Sequence, residues 1–283
     1  MDNTISSKRA AGLLKVNEST IKRWADNGTL KCFRTPGGHR KFRLSDITSL
    51  NKKYNFDYSV LNYADNDLKL KFSMNLRNSG EISSRLEKMI LKGETGNAYI
   101  LLYTLYLNNF SLEEIFDNIV GKAMRRIGEK WEAKMLGIEN EHIATNTVIS
   151  ALHLFNRELK FKNVKSKTAI CSGLEKEFHE IGLLCVKITL ESLGWKVIYT
   201  GINLPVDSLL QLVKKEKPKI VCISEMYNLP LKKSGAYINY LLDNLKNSNC
   251  RLIIGGENKY GAENSGIYCK SIESLKNELI NIK

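Results

Sequence analysis

One histidine of this 283-residue chain stands where it could bind a metal or a cofactor. His179 follows the apolar run 168–171 and precedes Gly182, an order that predicts a strand, a loop and the start of a helix. A histidine on such a loop extends past the carboxyl end of a strand, where α/β sheets bind ligands. Glu177 is placed to accept the second ring proton and so to orient the imidazole. Because a lone histidine is more often an ordinary surface residue, its use depends on the rest of the chain.

The apolar pattern around His179 predicts the sheet that would position it. After residue 165, strand-like runs alternate with helical stretches, and this alternation predicts βαβ units and a parallel sheet. The strand-like runs are 168–171, 196–199, 219–223 and 251–254, and the helical stretches are 181–193, 206–215, 234–247 and 271–281.

The region before the sheet has a helical period instead. Four candidate helices, at 81–92, 94–107, 111–131 and 138–160, predict a helix bundle. Residues 51–76 are polar and aperiodic, which is typical of a linker, and they carry no sustained heptad. We therefore expect any oligomer to form through the C-terminal domains.

The N-terminal segment is strongly basic. Residues 1–53 contain twelve lysines and arginines against four carboxylates, which is +8 of the total formal charge of +13. Charge concentrated in this way predicts a polyanionic partner, above all nucleic acid, although a lysine-rich solvated surface is the plain alternative. No apolar run reaches eighteen residues, so no membrane span is expected, and the scattered cysteines fit a reducing cytoplasm.

The same segment has the pattern of a winged helix-turn-helix. Two short helices, near 8–14 and 19–27, precede two predicted strands, 29–34 and 41–44, that flank a Pro-Gly-Gly turn. The second helix would enter the major groove and the turn would contact phosphates or the minor groove. The candidate DNA-binding residues are Ser19, Thr20, Lys22 and Arg23 on the helix, and Arg34, His39, Arg40 and Lys41 on the wing.

Three groups of motifs resemble known families. The segment 34–42 and the helix residues before it resemble the wing and recognition helix of the MerR family over about 45 residues. The C-terminal region resembles cobalamin-binding domains. The matching positions there are Glu177-x-His179-x-x-Gly182, Ser224 with Met226 in an S-x-L pattern, and Gly255-Gly256. The resemblance implies that His179 binds the cobalt from below and that the serine and glycines accommodate the displaced nucleotide tail.

The third resemblance is to CarH/LitR-type photoreceptor regulators. Trp131 followed after nine residues by Glu141-His142 resembles their W-x₉-E-H signature. It implies a tryptophan packed on the adenosyl group of 5′-deoxyadenosylcobalamin, with Glu141 and His142 holding its polar atoms. Trp131 could equally be a core residue of the bundle, with Glu141 and His142 exposed. Some members carry a histidine directly after the tryptophan, and here that position is Glu132.

Together these resemblances predict a non-enzymatic, cytoplasmic transcriptional repressor that uses adenosylcobalamin as a light-sensing chromophore. They imply a homotetramer that binds promoter DNA in the dark, and dissociation when light cleaves the cobalt–carbon bond. The alternatives are a light-independent cobalamin sensor and a corrinoid carrier for a methyltransferase or mutase. The predicted domains are a MerR-type winged helix-turn-helix (1–54), a linker (55–76), a four-helix bundle capping the cobalamin (77–162) and a Rossmann-like cobalamin-binding domain (163–283).

Overall fold

The computed structural model describes residues 4–14, 16–43, 46–47, 49–50, 78–107, 109–159, 167–225, 231–256, 266–280 and 282. The chain divides into two compact units, one of residues 1–82 and 100–110, the other of residues 83–99 and 111–283. The predicted linker, 55–76, lies outside the described residues, as does Met226 of the predicted S-x-L pattern.

The head is a small α+β domain, and its winged helix-turn-helix pattern is confirmed. Ile21 and Phe42 are fully buried between the helices and the sheet, and Trp24 is partly buried. Gly38, with a φ of +77°, closes the turn of the wing. The strands pair antiparallel in the order β1-β3-β2. The elements are β1 (Thr4–Ser6), α1 (Ser7–Leu14), α2 (Glu18–Asp26), β2 (Phe33–Arg34) and β3 (Arg40–Arg43).

The helical region contains the predicted helices with one correction. The segment 111–131 is not a single α-helix, because residues 114–120 are wound as a π-helix that continues into an α-helix. A π turn inserts extra residues and rotates the side chains that follow it. The elements are α3 (Ser79–Leu91), α4 (Thr95–Leu107), the π-helix (Glu114–Val120), α5 (Gly121–Glu132) and α6 (Ile138–Glu158).

The C-terminal region is a parallel sheet with helices, as predicted. The described strands follow the order β5-β4-β6-β7-β8, the flavodoxin-like arrangement, in which the strand order reverses at β4 and β6. Ile170, Val221 and Ile254 belong to its buried core. The elements are β4 (Thr168–Leu174), α7 (Ile181–Ser192), β5 (Lys196–Leu204), α8 (Val206–Glu216), β6 (Ile220–Glu225), α9 (Leu231–Leu245), β7 (Arg251–Gly256), β8 (Ile267–Cys269) and α10 (Ile272–Ile280).

Two strands differ most from the prediction. β5 extends to Leu204, five residues beyond the predicted end at 199, although it contains Gly201 at positive φ and the polar Asn203. β8 was not predicted, because three residues carry too short an alternation to be recognised. Across the described residues, no helix is both long enough and apolar enough to cross a membrane.

Candidate functional site

A histidine–glutamate pair lies in the loop between β4 and α7. His179 Nδ1 is 2.6 Å from Glu177 Oε1, and the backbone N–H of His179 donates to the same oxygen at 2.8 Å. Glu177 is buried, whereas the His179 side chain is 48% exposed. Because Nδ1 is held by the carboxylate, Nε2 is the nitrogen available to a ligand. Glu177 therefore fixes both the tautomer and the direction of the ring.

Charge around this pair favours a cationic or metal-bound imidazole. The hydrogen bond with Glu177 raises the pKa of His179 above its ordinary value; burial acts the other way, and the negative charges of Glu177 and Glu141 raise it further. Glu141 belongs to α6 of the helical region. Its carboxylate is therefore close enough to His179 for its charge to be felt there.

The loop that carries His179 is held at both ends. Lys176 adopts a positive φ of 68°, and its backbone N–H donates to Asn203 Oδ1 at 2.9 Å. At the other end, Tyr199 donates its hydroxyl to Glu180 Oε1 at 2.9 Å, just before α7 begins. The neighbouring strand β5 thus supplies both anchors, and the loop is fixed before any ligand arrives.

A serine and three glycines lie beside His179 at the carboxyl ends of the strands. Ser224 on β6 is in register with Gly173 of β4 and Gly255 of β7. A Cβ at Gly182 would lie 3.9 Å from Ser224 Oγ, and one at Gly255 would meet protein atoms only at 3.6 Å or more. Protein packing alone therefore does not demand glycine at 182 or 255. Ser224 is buried, and its hydroxyl has no hydrogen-bond partner among the described residues.

The predicted upper-face residues lie at one end of the helical region. Trp131 is in the last turn of α5, and Glu141 is in the first turn of α6, with only residues 133–137 between the two helices. Trp131 is 44% exposed, which contradicts its reading as a core residue, and Met135 beside it is also exposed. The indole of Trp131 is therefore accessible to a ligand.

The polar residues at this end, Glu141 and His142, differ in their hydrogen bonding and exposure. Glu141 accepts a hydrogen bond from Thr145 Oγ1 at 2.7 Å, and its other oxygen is 3.5 Å from His142 Nδ1. The His142 side chain is mostly exposed. Glu141 is thus positioned by its own helix, while the exposed ring of His142 can donate to or accept from a ligand.

A buried carboxylate that the sequence did not reveal braces the helix of Trp131. Glu87 on α3 accepts hydrogen bonds from Arg126 Nε at 2.6 Å and from Lys130 Nζ at 2.5 Å, one residue before Trp131. Burial alone would raise the pKa of Glu87, but the hydrogen bonds and charges of Lys130 and Arg126 outweigh it and hold the pKa below 4.5. No local spacing signals this contact, because its partners are about forty residues apart in sequence.

Two further contacts fasten the helical region to the sheet region within the same unit. Asp117, in the π-helix, accepts the backbone N–H groups of Ile272 and Glu273 at 2.9 and 3.1 Å and so caps α10. Asn156 on α6 donates to Glu191 on α7 at 3.0 Å. Asn156 lies in the last turn of α6, so its contact fixes the C-terminal end of the helix whose first turn carries Glu141.

The head presents most of its predicted DNA-binding residues to solvent. Ser19, Lys22 and Arg23 are exposed on α2, and Arg34 and His39 are exposed on the wing, while Thr20 and Lys41 are partly buried. Arg40 differs: its side chain is only 20% exposed and donates to Asp26 Oδ1 on α2 at 2.6 Å. Arg40 therefore ties the wing to the recognition helix, a positioning contact that the sequence did not predict.

Comparison with known proteins finds three matching family models. A helix-turn-helix domain matches residues 5–50, and B12 binding domains match residues 82–155 and 167–270. The HTH-type transcriptional repressor CarH of Myxococcus xanthus is 26% identical over 113 residues, covering 38% of this chain and 36% of the relative. The chain is a CarH-like helix-turn-helix protein with B12 binding domains.

The CarH-like chain is also similar to corrinoid proteins. Dimethylamine corrinoid protein 3 of Methanosarcina acetivorans is 23% identical over 145 residues, covering 51% of this chain and 68% of the relative. The monomethylamine corrinoid protein of Methanosarcina barkeri matches in structure with a TM-score of 0.59 at 18% identity, covering 72% of this chain and 99% of that chain, a likeness of fold alone. The chain spans about a third of the length of the repressor and about two thirds of the dimethylamine protein.

The residues of the CarH-like chain fit a cobalamin. Over the described residues, no group of three or more His, Cys, Asp or Glu side chains is assembled to hold a free metal ion. His179 instead offers one oriented nitrogen, which suits a metal whose other ligands come from a corrin ring. The unpartnered Ser224 hydroxyl and the glycines at 182 and 255 fit the donor and the space that a nucleotide tail needs.

Proposed function

We propose that this cobalamin-binding transcriptional regulator is a repressor whose DNA affinity depends on 5′-deoxyadenosylcobalamin. The observation that carries the proposal is that Glu141, from the helical region, lies near the oriented His179. His179 itself lies at the point where the strand order of the sheet reverses. The same chain also has a basic helix-turn-helix head. A ligand at this place would touch both regions of one unit. Its presence would then stabilise one arrangement over others.

Each residue has a separate task in this proposal. Glu177 keeps Nδ1 of His179 protonated, so that Nε2 would be the nitrogen that binds the cobalt. Ser224 would donate a hydrogen bond to the nucleotide tail, and Gly182 and Gly255 would leave room for it. These tasks require only groups that are already oriented, so little ordering is needed on binding.

The upper face is assigned to the helical region. The exposed indole of Trp131 would pack on the adenine, and Glu141 and His142 would hold the ribose hydroxyls. When bound, adenosylcobalamin would supply a cobalt–carbon bond that visible light breaks. Loss of the upper group would remove the contacts that Trp131 and Glu141 make, while contacts elsewhere, such as those of Asp117 and Asn156, would remain.

The proposal links that change to DNA through assembly. A homotetramer in the dark would present several heads to promoter DNA, and multivalency would turn weak single contacts into tight binding. Illumination would favour smaller species and so release the DNA. By linkage, DNA would raise the affinity for adenosylcobalamin by the same factor.

Two alternatives make different predictions. Glu132 in place of a histidine beside Trp131 leaves room for a light-independent cobalamin sensor. Similarity to methylamine corrinoid proteins favours a corrinoid carrier as a second candidate, but the basic head has no task in such a protein.

One reconstitution experiment separates the three. The purified chain is loaded with adenosylcobalamin in the dark, and its absorbance, size and affinity for duplex DNA are measured before and after green light. The proposal expects a corrinoid spectrum that changes on illumination together with a loss of DNA binding. A spectrum that changes while DNA binding does not would support the light-independent sensor, and corrinoid binding with no affinity for DNA would support the carrier.

A further inference from the structure

A cluster of cations lies at the end of the parallel sheet where the strands begin, opposite the end that carries His179. Strand beginnings supply three of them, and the carboxyl end of α8 with the turn after it supplies the others. We call this surface the basic edge, and its members are Lys196, Lys214, Lys215, Lys217, Lys219 and Arg251. Glu216 is the carboxylate within the same segment, so positive charge predominates.

The backbone brings these residues together. Arg251 N donates to Lys219 O at 2.9 Å, so β6 and β7 begin level with each other. Lys219 N donates to Thr168 O at 2.8 Å, which aligns the start of β6 with that of β4. Glu216 lies 4.0 Å from both Lys196 Nζ and Lys215 Nζ, which places the end of α8 beside the start of β5.

The cations are available to a partner. Of the six, all except Lys219 are exposed, and Lys219 is partly buried. Lys167 lies at the same edge, but its Nζ donates to Ile282 O at 2.7 Å and lies 5.4 Å above the Trp195 ring, so it is not counted as a member.

Stabilisation of the helix α8 explains only some of the cations of the basic edge. Lys214 and Lys215 gain from the negative end of the α8 dipole, but this reason does not extend to strand residues such as Lys196 and Arg251. Neighbouring strands are about 4.8 Å apart, so like charges at their beginnings repel one another. The loop around His179, at the opposite ends of the strands, carries Glu175, Glu177 and Glu180 against one exposed lysine, Lys176. Charge is thus sorted along the strands, as expected for a domain with a polyanion at one edge.

We propose that the basic edge is a second DNA-binding surface that contacts the phosphate backbone beside the site held by the head. This inference rests on the proposed function, since it needs the head on DNA. From β5 to β7 the edge spans about 14 Å, the axial length of about four phosphates on one strand. Because the head and the edge belong to one chain, DNA bound by the head is at high effective concentration near the edge.

The test removes three charges from the edge without touching the head or the cobalamin site. The full-length variant K214Q/K215Q/K217Q is compared with wild type and with K88Q/K92Q/K270Q, which removes three exposed lysines elsewhere. K214R/K215R/K217R keeps the charge and controls for the fold. Affinity for a mixed-sequence duplex of about 40 base pairs is measured by fluorescence anisotropy across a salt series, because such binding is almost wholly electrostatic.

The proposal expects the edge variant to have a shallower salt slope, by about 2.7 if all three lysines meet phosphates. Between about 50 and 200 mM salt, the factor by which wild type loses affinity is then about 40 times larger than the factor for the edge variant. The arginine variant and the K88Q/K92Q/K270Q variant should match wild type. Equal slopes for the edge variant and the K88Q/K92Q/K270Q variant overturn the inference while leaving the proposed function intact.

The same set of proteins also shows two other results that would overturn the inference. If wild type has no affinity for duplex DNA at low salt, the proposed function fails, and the inference fails with it. If the edge variant keeps the wild-type salt slope on DNA but loses binding to phosphatidylserine vesicles, the edge faces a lipid surface and the inference is wrong.

Discussion

Replacing Glu177 by alanine tests how the protein orients its candidate cobalt ligand. The carboxylate accepts two hydrogen bonds from His179, at 2.6 Å from the ring and 2.8 Å from the backbone. Loss of such an orienting partner typically costs 10–100-fold in affinity for the metal, which is about 1.4–2.7 kcal/mol. We expect Glu177→Ala to weaken binding of hydroxocobalamin within that range. Glu177→Asp, which keeps the carboxylate one methylene shorter, should retain most of the affinity.

The pH dependence of binding adds a second readout. The hydrogen bond with Glu177 raises the pKa of His179 above 6.5, and a protonated imidazole cannot bind cobalt. Binding by wild type should therefore weaken as the pH falls through a value above 6.5. In Glu177→Gln this loss should move to lower pH, because the negative charge is gone.

The assay is a titration followed by corrinoid absorbance, with circular dichroism as the check on folding. Glu175→Ala is the matched control, since Glu175 is a carboxylate of the same loop that accepts the Tyr237 hydroxyl instead. The reasoning is refuted if Glu177→Ala binds hydroxocobalamin as tightly as wild type, or if Glu175→Ala is equally impaired.

Three further predictions concern the brace, the upper face and the head. Glu87→Gln should lower the free energy of unfolding by about 2 kcal/mol, since its partners are half-exposed and can be rehydrated, and should lower the melting temperature by about 4–8 °C. Because the folded pKa of Glu87 lies below 4.5, wild type should lose the stability that the ionised carboxylate contributes as the pH falls below 4.5. The Glu87→Gln variant lacks this contribution at every pH. Equal acid sensitivity of the two proteins in thermal melts would contradict the prediction. Trp131→Ala should weaken binding of adenosylcobalamin but not of hydroxocobalamin in parallel titrations, and an equal loss for both would exclude an upper-face role. Arg34→Ala should make the salt slope of DNA binding shallower by about 0.9. Arg40→Ala should also destabilise the head, because it removes the closer partner of Asp26, at 2.6 Å, and leaves that carboxylate with Arg34 at 3.5 Å. A melting temperature unchanged in Arg40→Ala would count against that contact.

Local sequence predicted those parts of the site whose residues are close in the chain. Glu177 and His179 are two residues apart, so one loop after one strand brings them together. Trp131 and Glu141 flank a single short turn, and an antiparallel helix pair must place them at the same end. In both places the periodicity of the flanking elements was enough to predict the geometry.

Contacts between distant residues were not predictable in this way. Glu87 reads as an ordinary exposed helix carboxylate until the fold brings Arg126 and Lys130 to it. Asp117 caps a helix that begins 155 residues later, and nothing in the local pattern marks the π turn that directs it there. The basic edge likewise depends on the register of the strands, which no single strand specifies.

The most direct test of the central claim compares DNA affinity with and without adenosylcobalamin, in the dark, for wild type and His179→Ala. The account predicts that the cofactor raises the affinity of wild type for duplex DNA and that green light abolishes the increase. His179→Ala should show a weaker increase or none. If bound adenosylcobalamin leaves the DNA affinity of wild type unchanged, the central claim is contradicted.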